Sequence, residues 1–283
     1  MGIFNRKEKL TLSDKVDPSL QRIKNAIQSM KQSRGGEKEL RDSIYECFAL
    51  GKWVHMITLG EKDGMQRLDV RPGKGGGLIA WYTGPEEIKQ GKCDLLITDI
   101  NKLIEPMYSS HDIIGMVINP DTDGLVITKS YLLAILLHSQ HRVPQPAQVA
   151  QRNWGPGIPN YSPSDLMTKA EFTNFAMETT LKPIQEEFDI ISGTDDTDAA
   201  VNIVAQKGDD LCLITVRGGC EEDFEPLTPE ERETIQEYKD KFHVKCLLAV
   251  VEYRSATDLK RFEQCIALRG DGFYAKYTGL QEL

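Results

Sequence analysis

The stretch that most limits what this chain can fold into is residues 201–218, VNIVAQKGDDLCLITVRG. Two apolar runs rich in Val, Ile and Leu flank Gly-Asp-Asp, which is the pattern of a β-hairpin closed by a tight turn. The two strands expected are residues 199–206 and 211–217. The neighbouring segments agree. Residues 188–191 and 244–252 are further short apolar runs, and the second is continuous enough to be buried on both sides. Helical spacing predicts a helix opened by Ser164 and halted before Pro183, with Leu166, Phe172, Phe175 and Ala176 facing the core. Thr228-Pro229-Glu230-Glu231 is a capping box that opens another helix to about residue 241. Residues 257–268 read as a helix, residues 272–277 as a last strand, and His243 as a structural residue ahead of a buried strand. The expected order is therefore helix, three strands, helix, strand, helix, which is an α/β domain.

The N-terminal half has a different pattern. Asp17-Pro18 is an N-cap followed by proline at the first helical position, and Leu20, Ile23, Ile27 and Met30 recur at helical spacing. That helix is expected to stop at Gly35-Gly36. A second follows over residues 37–50, with Leu40, Ile44 and Phe48 on one face. Residues 53–59, 66–70 and 78–83 predict an antiparallel meander. Residues 85–90 predict a short helix, 94–97 a strand, 99–108 a helix, 112–118 and 125–128 strands, and 129–140 a helix that is apolar over a wide face. The expectation is an α+β domain with a small mixed sheet.

Between the halves, residues 142–163 hold five of the chain's 13 prolines, together with Gly155 and Gly157. This composition marks a stiff, extended linker. The divisions expected are 1–36 as an N-terminal arm and helix, 37–141 and 164–283 as domains, and 142–163 as the linker. Trp154 and Tyr161 are large apolar groups for a solvated linker. Either they pack on a neighbouring domain or they dock a partner chain.

Charge narrows the function. Residues 1–163 carry 21 Lys/Arg and 18 Asp/Glu, a net of +3, whereas residues 164–283 carry 13 and 25, a net of −12. Gripping a phosphate backbone needs a basic face, so nucleic acid is a poor partner for the second half. The start MGIFNRKEKL lacks a signal-peptide core and has Arg6 where myristoylation needs Ser or Thr. No apolar run is long enough to cross a bilayer. The six cysteines (47, 93, 212, 220, 246 and 265) form no CxxC pair and read as reduced thiols, so the expected setting is cytoplasmic.

Several motifs invite a chemical reading and fail on spacing. Arg71–Gly77, RPGKGGG, has no Lys-Ser/Thr ending that opens a helix, so it predicts a mobile hairpin loop and not a phosphate cradle. The segment DTDG at 121–124 lacks the glutamate of a calcium loop. His138 and His141 stand three apart, but no third ligand follows closely. No GxSxG or HExxH is present. No cofactor is expected.

Two resemblances rest on particular residues. The order RDSIYECFALGKWVHMI, LIAWYTGPEEI, IIGMVINPDTDGLVITKSYL resembles the N-terminal domain of SseB-like bacterial proteins over residues 37–140. It is carried mainly by Trp81-Tyr82-Thr83 and Val117-Ile118-Asn119-Pro120. The resemblance implies a fold and a bacterial origin, with no catalytic residues to carry over. Residues 164–277 resemble the PD-(D/E)xK, restriction-endonuclease-like fold and its Mrr-like branch. There one strand carries an Asp, and the next carries Glu or Gln, one residue, then Lys, around Mg²⁺. The corresponding positions in this chain are Asn202, Thr215 and Arg217, and all three depart from the pattern. Asn202 and Thr215 are neutral, and Arg217 does not give up its proton.

The expectation is thus a non-catalytic bacterial adaptor or scaffold that binds other proteins in a multi-subunit complex, such as a secretion or defence assembly. Homo-oligomerisation is compatible with it. Two alternatives stand beside it. One is a metal-dependent nuclease using displaced acids, Asp189, Asp195, Asp196 and Asp198, with Glu171. The other is a small-ligand regulatory module rimmed by RPGKGGG.

Overall fold

A computed structural model of the chain describes residues 17–32, 35–62, 65–89, 94–138, 161, 162, 164–194, 196–220, 226–256 and 267–283. Trp154, His141, Asp195, most of the linker and the helix expected at 257–268 lie largely or wholly outside the described residues. The chain divides into two compact units, one of residues 1–140 with 241–243, the other of residues 141–240 with 244–283.

In the first unit, α1 (Pro18–Lys31) starts where the sequence places it, with the Asp17 carboxylate accepting from the Ser19 N–H. It ends at Lys31, before the Gly35-Gly36 pair. Helix α2 (Glu37–Ala49) packs beside it. The expected meander is divided between two sheets. Strand β1 (Trp53–Lys62) pairs antiparallel with β2 (Met65–Leu68) on one side and with β5 (Asp94–Asp99) on the other, giving a sheet ordered β2-β1-β5. A second sheet is ordered β3-β4-β6-β7, from β3 (Val70–Gly73), β4 (Gly76–Trp81), β6 (Ile113–Ile118) and β7 (Leu125–Thr128). Strands β4 and β6 run parallel, and the other pairs in that sheet are antiparallel. There are therefore two small sheets where one was expected. They are joined by reciprocal backbone bonds between His55 and Tyr82. The middle strand of the expected meander is split at Asp69 into β2, which pairs with β1, and β3, which pairs with β4: the Asp69 N–H goes to Ile57 of one sheet and its carbonyl accepts from Ala80 of the other. A short 3₁₀ turn and α3 (Ile104–Ser109) lead into β6, and α4 (Lys129–His138) buries Leu132, Leu133, Ala134 and Ile135.

The second unit is three layers. Helix α5 (Lys169–Glu187) covers one face of a five-stranded sheet, and α6 (Pro229–Phe242) contributes to the other. The sheet order is β12-β11-β10-β9-β8, from β8 (Asp189–Gly193), β9 (Ile203–Lys207), β10 (Asp210–Gly219), β11 (Lys245–Ser255) and β12 (Phe273–Glu282). Strands β8, β9 and β10 are antiparallel neighbours, β11 runs parallel to β10, and β12 antiparallel to β11. The opening hairpin is β9–β10. Its turn is the pair Gly208-Asp209, with Gly208 at φ +62, a conformation that glycine adopts without steric cost.

Strand β10 is buried from Cys212 to Gly219, as an interior strand must be. Its side chains alternate: Ile214 and Val216 join the α5 core with Phe172, Ala176, Ile184, Ala249 and Val251, while Thr215 and Arg217 face the side of α6. His243 turns the chain from α6 into β11 at φ +49.

Three details of α5 differ from expectation. It begins after Thr168 instead of Ser164, because Thr168 and Glu171 form a capping box, each side chain accepting from the other's backbone N–H. It continues through Pro183 to Glu187. Pro183 is on the exposed side, away from the packed stripe. Phe175 is 44% exposed, because the buried stripe runs Phe172, Ala176, Thr180, Ile184 at four-residue spacing. Thr168→Ala is expected to cost about 1 kcal/mol in a urea melt followed by circular dichroism.

Candidate functional site

The three positions singled out by the hairpin, Asn202, Thr215 and Arg217, do meet in space. All are buried, and Arg217 is 0% exposed. Asn202 lies just before β9, and its Oδ1 accepts from the Val216 N–H at 2.8 Å and from Arg217 Nη1 at 2.9 Å. Arg217 Nη1 also donates to the Val216 carbonyl at 2.8 Å. Its Nη2 donates to the Ala199 carbonyl at 2.9 Å and to Glu231 Oε1 at 2.7 Å. Among the described residues, Arg217 Nε has no hydrogen-bond partner. Thr215 Oγ1 donates to the Ala200 carbonyl at 2.5 Å, and Asn202 Nδ2 to the Asp196 carbonyl at 3.3 Å.

Read together, these bonds hold the turn between β8 and β9 down on the central strand. Residues 196, 199 and 200 supply only backbone carbonyls, and the three side chains supply the donors. The turn's described residues are only partly buried, so a carbonyl left without these donors would cost at most about 1–3 kcal/mol. The polar positions of β10 thus act as a clamp.

Glu231 is the member that sequence reasoning missed as a site residue. Its signal was visible only as a cap. The Thr228 N–H donates to Glu231 Oε2 at 2.7 Å, and the Glu231 N–H to Thr228 Oγ1 at 3.2 Å. The free oxygen of the capping carboxylate is the one that meets Arg217. Burial works against its ionisation, yet the Thr228 N–H and the Arg217 guanidinium together hold the carboxyl below the usual carboxylate range.

Of the displaced acids among the described residues, Asp189, Asp198 and Glu171 make no bond to the clamp, and Asp196 joins it only through its carbonyl. Asp189 begins β8, and the acidic turn follows the other end of that strand, about 13 Å away at the usual rise per residue. Asp196 Oδ1 accepts from the Asp198 N–H at 3.0 Å, a local turn bond. Glu171 is engaged by Thr168 and by Arg269, whose Nε donates to Oε1 at 2.7 Å. Among the described residues no group of three or more His, Cys, Asp or Glu side chains is placed to hold a metal ion. Asp195 lies outside them. Tyr161 is half-buried, and its proposed companion Trp154 is outside the described residues.

In the first unit, the pieces WYTGPEE and INPDTD come together because β4 and β6 are parallel neighbours whose carboxyl ends lie side by side. The Asn119 N–H donates to the Trp81 carbonyl at 2.9 Å, and Asn119 Oδ1 accepts from the Thr83 N–H at 2.9 Å. Asn119 is at φ +50, a left-handed conformation in which Asn is tolerated. Buried Glu87 takes a hydrogen bond from Thr122 and an ion pair from Lys24 of α1. Arg71 donates to Asp69 at 2.7 Å, to Asp121 at 3.0 Å and to the Tyr82 hydroxyl at 3.2 Å. Burial pushes the Tyr82 hydroxyl pKa up to about 12, with Asp121 adding to the shift.

The run RPGKGGG therefore belongs to a hairpin, but little of it is loop. Arg71, Pro72 and Gly73 are in β3, Gly76 and Gly77 in β4, and only Lys74-Gly75 turns. A Cβ on Gly77 would come within 2.5 Å of Val70, and one on Gly76 within 2.8 Å of the Asp112 carbonyl. These glycines serve close packing against the start of β6.

His55 lies at the junction of the two sheets, 8% exposed, with neither ring nitrogen hydrogen-bonded among the described residues. Burial lowers its pKa, opposed by the charge of Glu86. The folded chain thus resists a proton that the unfolded chain accepts near pH 6.5. Stability contributed by neutral His55 is complete above that value and is lost as the pH falls below it. Urea melts at pH 7 and pH 5 are expected to show a drop that His55→Leu reduces.

A family described as a domain of unknown function (DUF8840) matches residues 170–283. No curated protein and no solved structure matches the chain. The matched segment spans α5 to β12 and so contains Asn202, Thr215, Arg217 and Glu231. Among the described residues no helix is long and apolar enough to cross a membrane.

Proposed function

We propose that this chain is a non-catalytic bacterial adaptor or scaffold subunit that binds other proteins within a larger assembly. One observation carries the reading. The side chains at the metal-site positions, Asn202, Thr215 and Arg217, are spent on each other, on backbone carbonyls and on Glu231, and all three are enclosed. A reacting site needs groups that can reach a substrate; these cannot.

Two features support the families behind it. The order α5-β8-β9-β10-α6-β11, with three antiparallel strands and then one parallel to the third, fits the PD-(D/E)xK-like reading of the second half. The junction of Trp81, Tyr82 and Thr83 with Asn119 fits the SseB-like reading of the first, since the residues that carry that resemblance are one packed unit. The net charge of −12 on residues 164–283 favours protein over nucleic acid as partner.

The test has two arms. Purified protein is incubated with Mg²⁺ or Mn²⁺ and single- and double-stranded DNA and RNA, and no cleavage is expected. The chain is also isolated from its native host under mild lysis, where a stoichiometric complex is expected. Cleavage that Asp195→Ala with Asp196→Ala abolishes, or a chain that purifies alone, would overturn the proposal.

A further inference from the structure

We propose that the space around the Arg217 guanidinium is a receptor for a planar monocation, occupied in this protein by the chain's own side chain. Four oxygens converge there: Asn202 Oδ1, the carbonyls of Val216 and Ala199, and Glu231 Oε1, at 2.7–2.9 Å from the two terminal nitrogens. They come from the entry to β9, from β10, from the β8–β9 turn and from α6.

Their alignment does not depend on Arg217. Asn202 Oδ1 is also held by the Val216 N–H, and the amide's other end by the Asp196 carbonyl. Glu231 is fixed by both bonds of its capping box. The turn carrying Ala199 is tied by Thr215 to the Ala200 carbonyl and by the Ala199 N–H to the Asp196 carbonyl. Acceptors fixed by other bonds stay in place when their ligand is removed, which is what makes a site preorganised.

The chemistry selects the ligand. One acceptor is a carboxylate and three are neutral, so the site carries a single negative charge. A divalent ion would bring a charge that these groups leave half-uncompensated in a buried place. Two terminal nitrogens each donating twice fit a planar fork, whereas a compact ammonium directs its three donors differently. Arg217 Nε takes no part, so a free guanidinium ion satisfies the same four acceptors. The inference does not rest on the adaptor reading.

The test uses the full chain with Arg217→Ala, melted in low concentrations of guanidinium, ammonium or magnesium chloride. Arg217→Ala is expected to melt below the wild type. Guanidinium is expected to raise its Tm by several degrees while lowering or leaving that of the wild type. Ammonium and magnesium are expected to do less, and adding Glu231→Gln to remove the guanidinium gain. No gain with guanidinium, an equal gain in the wild type, or a larger gain with magnesium would each overturn the proposal. Should Arg217→Ala not fold, Arg217→Lys decides: melting below the wild type supports a planar site, and equal melting overturns it.

Discussion

Replacing Arg217 by Met is expected to cost about 3–5 kcal/mol in unfolding free energy, a large share of what an ordinary domain has. Met fills most of the space left by the arginine stem but supplies no donor. The loss is then electrostatic: Glu231, half-buried, is left ionised with its cation gone, and the carbonyls of Ala199 and Val216 lose a donor. The double mutant separates these causes. Glu231→Gln keeps the cap, since Gln serves at that position of a capping box, and removes the charge. Arg217→Met with Glu231→Gln is therefore expected to be more stable than Arg217→Met alone, with a coupling of about 1–3 kcal/mol between the positions. Urea denaturation of the four proteins measures it. Additive losses would show that Arg217 and Glu231 do not sense each other, and the clamp would then be a set of backbone bonds only.

The second large effect comes from two glycines, one in each unit. A Cβ at Gly218 of β10 would stand 2.3 Å from the Phe172 carbonyl oxygen, and one at Gly115 of β6 2.2 Å from the Ile127 carbonyl oxygen. Backbone cannot rotate aside as a side chain can, so the helix or strand must move. Gly218→Ala and Gly115→Ala are each expected to lose about 3 kcal/mol by overpacking. Gly218→Ala should act on the unit that contains α5 and the five-stranded sheet, and Gly115→Ala on the other. Hydrogen exchange resolved by peptide reports which unit loosens; loosening of the wrong unit, or of neither, would contradict the close approach.

Element type was legible wherever a local rule was strong. The Asp17-Pro18 cap, the buried run of β11 and the Thr228 capping box each depend on neighbours a few residues apart, and each is found as read; the Gly-Asp-Asp turn of the hairpin is found one residue shorter, with Asp210 already in β10. The errors lie where the deciding contact is distant. Pro183 reads as a stop, but on an exposed helix face the cost is met by packing from Phe172, Ala176 and Ile184 on the other side. Residues 53–83 read as one meander, but it is split at Asp69, and β1 takes β5 as its second neighbour and β4 takes β6, across more than 30 residues of sequence.

The same division holds for the candidate site. Sequence alone determined that Asn202, Thr215 and Arg217 share one hairpin, and that two neutral side chains there are poor ligands for a hard dication. It also determined that Glu231 caps a helix, because a capping box closes within four residues. Only the tertiary structure decided that this capping carboxylate is the counter-ion of Arg217. That pairing depends on how a helix start docks over a strand 14 residues earlier in the chain, and no local pattern records the distance between two elements that meet only when the core is packed.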